Sequence, residues 1–273
     1  MNIRATHATR PLARHMVIRT YLMAFLMALL TIILTGCQTS TVYTSDWHNP
    51  KVDCGEFSLE IAQPLPWQIT GPSNWVIIGS SSAAGAGATP GYSWADLLTV
   101  YAIEKGAQVL NIAKGGATTC QALWSHCQVA SSRFQPDPAH NIDQGVALRA
   151  NLVIISFPSN DQAMNYSVAE SVSNLMNIQW QLAQQNIPTV ILSSQPRNMD
   201  ANRQQKLIEF NQQLRPLLGP CFVEIHDLLL GPSGALDPRY DFDGVHLNNM
   251  GHEVVFQALK ARLDSEECVQ FLP

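Results

Sequence analysis

Between residues 72 and 264, short and almost continuously apolar runs alternate with longer stretches whose apolar positions recur at helical spacing. The short runs are Trp75–Gly79, Gln108–Ile112, Leu152–Ser156, Thr189–Ser193 and Phe222–His226. Runs of this length without polar alternation read as strands buried on both faces, the pattern of a parallel sheet covered by helices. The longer stretches predict helices over Ser93–Glu104, Ile142–Ala150, Val168–Gln185, Asn202–Leu217 and Met250–Leu263. In the first of these, Trp94, Leu97, Leu98 and Tyr101 make one apolar face, and Ser93 with Asp96 has the spacing of a capping box. Each helix is long enough to cross back over the sheet in a right-handed connection. The expected fold class is α/β, a three-layer α/β/α sandwich on a five-stranded parallel sheet. Ligands of such sheets sit beyond the carboxyl ends of the strands.

The first 36 residues follow a different pattern. They hold Arg4, Arg10, Arg14 and Arg19 and no Asp or Glu, followed by an apolar run of 14 residues, Tyr21–Leu34, too short to span a bilayer comfortably. The run ends in Leu34-Thr35-Gly36-Cys37. This resembles a bacterial lipoprotein signal, which implies removal of residues 1–36, lipidation of Cys37, and membrane attachment through several acyl chains on one residue. Gln38 in the next position implies, by the same resemblance, the outer membrane of the cell envelope, facing the periplasm. A tether and lead-in over 37–71 and a single domain over 72–273 complete the expected organisation.

That division changes the meaning of the composition. The full chain has 273 residues, 46% hydrophobic, 14% charged, with a formal charge of −5. Without the leader it has 12 basic and 21 acidic side chains, a formal charge of −9. The charged share is below the roughly 25% of an average soluble domain, which excludes a disordered chain, and the acidic balance argues against a nucleic-acid partner. Five cysteines follow Cys37, and an exported chain resides where disulfides persist. The short separation of Cys120 and Cys127 favours that pair, with Cys221 and Cys268 as a second. No spacing of Cys or His suits a structural metal, so neither metal nor cofactor is expected.

The candidate chemistry lies in four blocks. The first is Gly79-Ser80-Ser81-Ser82-Ala83-Ala84-Gly85-Ala86-Gly87, following the first strand. It lacks the third glycine of a dinucleotide fingerprint, the lysine of a phosphate-binding Walker loop, and the last glycine of a G-x-S-x-G elbow. What remains is a serine nucleophile, which needs a base, an orienting carboxylate and an oxyanion hole. The second block, Asn111 to Thr118, contains Gly115-Gly116; the third, Phe157-Pro158-Ser159-Asn160-Asp161, follows the third strand; the fourth is Asp243-Gly244-Val245-His246-Leu247-Asn248. A neutral imidazole takes a serine proton near pH 7, and a carboxylate three residues earlier can hold its other N–H.

These four blocks, in this order over about residues 73–264, resemble the SGNH (GDSL-type) hydrolases, which implies a flavodoxin-like sheet order. By that resemblance Ser81, four residues before Gly85, is the nucleophile. The main-chain N–H groups of Ser81 and Gly116 and the side chain of Asn160 form the oxyanion hole, His246 is the base and Asp243 its partner. The sequence departs from the family in Ser80, where aspartate is usual, and in Pro158-Ser159, where a glycine and a small residue are usual; Ser80 and Ser82 stay open as nucleophiles. Asp161 is expected to brace the Asn160 loop, His252 to pack or face solvent, and His226 and Asp227 to end the fifth strand. The tryptophans Trp75, Trp94, Trp124 and Trp180 read as core or cleft wall, with Trp124 the best candidate among them for a sugar platform.

The resemblance implies a serine esterase working through an acyl-enzyme intermediate. Its substrates would be O-acylated glycans or lipid esters, with short acyl groups favoured because the mature chain has no long apolar stretch. A lysophospholipase, a thioesterase, an acyltransferase on the same fold, and a non-catalytic glycan-binding lipoprotein are the other readings.

Overall fold

The computed structural model describes residues 51–55, 65–157 and 159–273, all within one unit of the chain. The leader, Cys37, Pro158 and most of the expected tether lie outside these residues.

In chain order the elements are β1 (Val52–Asp53), β2 (Trp67–Thr70), β3 (Ser73–Gly79), α1 (Trp94–Glu104), β4 (Ala107–Asn111), α2 (Thr119–Ala122), β5 (Gln128–Val129) and α3 (Ile142–Ala147). They continue with β6 (Leu152–Ser156), α4 (Asn160–Ala163), α5 (Val168–Gln184), β7 (Thr189–Leu192), α6 (Ala201–Leu218), β8 (Phe222–Val223), α7 (His226–Leu229), α8 (Asn249–Asp264) and β9 (Val269–Leu272). Five strands form one parallel sheet in the order β4-β3-β6-β7-β8.

The apolar strands are continuous because both faces are covered. Trp75, Ile77, Leu152, Ile154, Val190 and Leu192 point into a core closed by α1 and α8. Val76, Ile78, Val153, Ile155 and Ile191 point the other way, into a core closed by α3, α5 and α6. The apolar face of α1 buries Trp94, Leu98 and Tyr101, and its first turn has the expected capping box: Ser93 Oγ accepts from Asp96 N, and Asp96 Oδ2 accepts from Ser93 N, each at 3.1 Å. The order places β3 between β4 and β6, so the chain reverses its winding direction beside the carboxyl end of β3. That reversal is where an open α/β sheet leaves a crevice.

Two small pairings had no local sequence signal. β2 runs parallel to β9, Trp67 opposite Val269 through Thr70 opposite Leu272. β1 runs antiparallel to β5, Val52 opposite Val129 and Asp53 opposite Gln128. Continuing that register places Cys54 opposite Cys127, and the two are joined in a disulfide.

The expected Cys120–Cys127 pair is therefore corrected. Cys120 is buried in α2, where Asn174 Nδ2 donates to its Sγ at 3.3 Å, and its thiol is free. Burial, together with the charge of Asp161, pushes that thiol up to about 12, so it is unreactive in the folded protein. Cys221 and Cys268 are bonded to each other. An unreduced peptide map is expected to show the 54–127 and 221–268 links, with Cys120 alkylated only after unfolding. Replacing Cys221 and Cys268 by serine should destabilise the protein by about 2–4 kcal/mol, read from denaturant melts.

Candidate active site

Three of the four blocks emerge at the carboxyl edge of the sheet, and the last strand-to-helix connection folds over them. The turn after β3 holds Gly79 against the backbone of β6: a Cβ there would lie 2.3 Å from Ser156 O and 2.8 Å from the Ala83 Cβ. Asn111, at the end of β4, donates its Nδ2 to Ala83 O at 2.8 Å and fixes the far side of the turn. Of the three adjacent serines, Ser80 and Ser82 point inward and are buried, and the Ser80 Oγ has no hydrogen-bond partner. Ser81 is half-exposed, and its Oγ lies 3.0 Å from His246 Nε2. The structure thus separates the three hydroxyls by direction.

His246 Nδ1 is 2.8 Å from Asp243 Oδ2. A carboxylate can only accept, so Nδ1 carries the proton and Nε2 presents its lone pair to Ser81. Asp243 also accepts from His246 N at 2.8 Å and Val245 N at 3.0 Å. Gly244 makes this tight turn possible, at φ +86° and with its N–H donated to Asp241 Oδ1 at 2.6 Å. The hydrogen bond from His246, followed by those from the backbone, pulls the Asp243 carboxyl down to about 2 although the side chain is largely solvent-exposed. A carboxyl depressed in the folded state stabilises it above the ordinary carboxylate range, and that contribution is lost as pH falls through about 2. The melting-temperature lead of the wild type over Asp243→Asn is therefore expected to shrink as pH falls from about 4 towards 2.

The glycine loop and the histidine turn are in direct contact. A Cβ on Gly87, at φ +90°, would lie 2.2 Å from Leu247 O and 3.1 Å from the His246 Cβ. Asn249 reinforces the contact, accepting from Thr89 N and donating to Thr89 Oγ1, each at 2.9 Å. His252, expected to pack or face solvent, is buried: its Nδ1 accepts from Trp94 N at 3.3 Å and its Nε2 lies 3.1 Å from Ala86 O. Burial lowers its pKa, and it braces the glycine loop against α1 and α8.

Opposite His246 lie the remaining predicted groups. Gly116, at φ +76°, and Ser81 have main-chain N–H groups without an acceptor among the described residues. Asn160 donates one Nδ2 hydrogen to Ala117 O at 2.9 Å, which leaves the second for another acceptor. Asp161 is fully buried and accepts from Thr119 N at 3.0 Å and Thr119 Oγ1 at 2.5 Å, so it ties the third block to the start of α2, directly after the second. The structure brings Ser81, Gly116, Asn160, Asp243 and His246 to one edge of the sheet.

Sequence reasoning missed the segment between β7 and α6. Gln195 Nε2 donates to Val245 O at 2.6 Å and Asn198 N donates to Gly244 O at 2.9 Å, clamping the segment onto the histidine turn. Between them, Arg197 reaches the other side, with Nη1 3.4 Å from Asn160 Oδ1 and 3.5 Å from Ser159 Oγ. Isolated polar residues in a connection carry no periodicity that would single them out.

Other candidates fall elsewhere. His226 starts α7 instead of ending a strand; its Nδ1 lies 3.2 Å from Ser194 O, and with Asp227, Asn211 and Arg215 it lines a pocket of about 280 Å³ that contains none of Ser81, Asp243 and His246. Trp75 and Trp94 are core residues, and Trp124 is half-buried in the core closed by α5.

A serine hydroxyl against an imidazole held by a carboxylate, facing two unoccupied amides and a side-chain amide, is the arrangement of a serine hydrolase. A sequence model of the GDSL-like lipase/acylhydrolase family matches residues 77–254, so the chain belongs to that family and is an ester-hydrolysing serine hydrolase. No curated protein sequence matches it significantly. Among solved structures, a GDSL-like lipase from Bacteroides thetaiotaomicron is similar over 71% of this chain and 88% of its own, at 17% identity and a TM-score of 0.52. The esterase EstA from Pseudoalteromonas sp. is similar over 71% and 97%, at 13% identity and 0.50, and TesA over 71% and 99%, at 14% identity and 0.53. At these identities the likeness is one of fold.

Proposed function

We propose that the chain is a lipid-anchored esterase of the bacterial cell envelope that cleaves short acyl esters, acetyl esters foremost, through an acyl-enzyme intermediate. The observation that carries this reading is the unbroken hydrogen-bond chain from Ser81 Oγ through His246 to Asp243. Ser81 Oγ attacks the ester carbonyl carbon while His246 Nε2 takes the hydroxyl proton. The carbonyl π pair moves to oxygen, and the anion formed is held by the N–H groups of Ser81 and Gly116 and by Asn160 Nδ2. Collapse breaks the ester C–O bond, and the departing alcohol receives the proton from His246. Water then attacks the acyl-Ser81 ester by the same route, releasing the acid and the free serine. Each oxyanion donor contributes about 10²–10³ in rate.

The basic leader and Leu34-Thr35-Gly36-Cys37 support attachment at Cys37, and Gln38 supports the outer membrane facing the periplasm. Substrates within reach of such an anchor are O-acylated glycans and lipid esters. The leaderless protein should hydrolyse p-nitrophenyl acetate and butyrate with the highest kcat/KM in a series from acetyl to dodecanoyl. A maximum at the long end would overturn the short-acyl reading, and no turnover on any ester would overturn the hydrolase reading. Fatty-acid labelling that persists in a Cys37→Ser protein would refute the anchor.

A further inference from the structure

We propose that Arg197 forms an anion subsite beside the oxyanion hole, so that this hydrolase selects esters carrying a carboxylate or phosphate close to the scissile bond. The inference rests on the esterase reading above and specifies its substrate class.

Arg197 is a cation beside Asn160, the side-chain donor of the oxyanion hole proposed above. Its backbone segment is held to the histidine turn through Gln195 and Asn198, and its guanidinium reaches across to Ser159 and Asn160. It therefore stands between Asn160, a donor of the oxyanion hole, and Asp243, whose charge acts on it without an ion pair. Of the other six arginines among the described residues, five have a carboxylate partner, Arg133 with Glu170, Arg203 with Asp200, Arg215 with Glu224, Arg239 with Asp237 and Arg262 with Glu267, and the sixth, Arg149, is exposed to solvent. Arg197 has none among the described residues, and its two contacts, at 3.4 and 3.5 Å, go to neutral oxygens at the outer limit of a hydrogen bond.

Half-burial already disfavours this charge and lowers its pKa, yet a guanidinium stays protonated in proteins. A guanidinium has five donors in a planar fork that matches carboxylate and phosphate oxygens two at a time. Most of those donors are unspent here, and a substrate anion would supply the missing counter-charge. If Arg197 served only to orient Asn160, it would act on charged and neutral esters alike.

The test compares esters that differ only in charge. Hydrolysis of 3-acetoxybenzoate against 3-acetoxybenzamide places the anion on the alcohol part; ethyl hydrogen adipate against its primary amide places it on the acyl part. In one of the two pairs the wild type is expected to prefer the anion, and Arg197→Met to lower the charged-to-neutral ratio of kcat/KM by about tenfold to a hundredfold, the usual worth of a hydrogen bond to a charged group. Arg197→Lys, which keeps the charge without the fork, should retain an intermediate ratio, and thermal melts check that both variants fold. An equal ratio in wild type and Arg197→Met in both pairs would overturn the proposal while leaving the esterase reading intact. Calorimetric binding of the same esters to Ser81→Ala judges the subsite without turnover. Tighter binding of an anionic member that depends on Arg197 supports it, and equal binding of charged and neutral members overturns it.

Discussion

Replacing Ser81 by alanine is expected to lower kcat on a short p-nitrophenyl ester by at least about a thousandfold, with KM little changed. The hydroxyl is the group of the first block hydrogen-bonded to His246 Nε2, and without it the proposed acyl-enzyme cannot form. The neighbouring serines are the controls. Ser80 Oγ is buried with no partner, so Ser80→Ala removes no hydrogen bond and should leave both kcat and stability within about 0.5 kcal/mol of wild type. Ser82→Ala should likewise keep most of the activity. A Ser81→Ala protein that retained wild-type turnover would sink the assignment of the nucleophile. His246→Ala should cost about as much as Ser81→Ala, and the double variant little more, because the two act as one unit.

The second large effect comes from a residue with no side chain. Gly87→Ala places a methyl group 2.2 Å from Leu247 O and 3.1 Å from the His246 Cβ, on a backbone at φ +90° that alanine rarely adopts. Neither obstacle is the end of a flexible side chain, so the histidine turn must shift. Displacement of a reacting group by about 1 Å commonly costs on the order of 10² in rate. Gly87→Ala should therefore reduce kcat by roughly a hundredfold and destabilise the fold by about 2 kcal/mol or more. Wild-type kcat in this variant would show that the two loops are not in register as described. Gly91→Ala is the comparison: it shares the positive φ but has open space around its Cβ, so it should lose stability without a matching loss of rate.

The sheet was readable because a parallel strand buried on both faces is apolar along most of its length, as β3, β6 and β7 are, while β4 at the edge keeps only Val109 and Leu110 between exposed Gln108 and Asn111. The sheet's ends were not. The run at Phe222 yields only a two-residue strand, and His226 opens a helical turn, because Ile225 N and His226 N are captured by Ser193 Oγ. The strands β1, β2, β5 and β9 have no pattern of their own and exist through partners far away in sequence. That is also why the cysteines misled: nearness along the chain favoured Cys120 and Cys127, while the pairing of β1 with β5 brought Cys54 across 73 residues. At the site, Ser81, Gly116, Asn160, Asp243 and His246 were legible because each belongs to a block whose composition is unusual. Arg197 was not, since a single arginine in a connection becomes informative only once its side chain is seen to make no ion pair.

The Cys54–Cys127 bond also decides how the domain bears load. Strand β1 has only two residues, and two rungs of backbone hydrogen bonds would peel apart one after the other under tension. The disulfide next to them closes a covalent loop, so a pull on the chain ahead of Cys54 passes through sulfur to Cys127 and into the polypeptide beyond, bypassing β2 and β3. Under the attachment proposed above, β3 and β4, and with them the Ser81 turn, lie inside the loop that such a load bypasses, while β6, β7 and β8 follow Cys127.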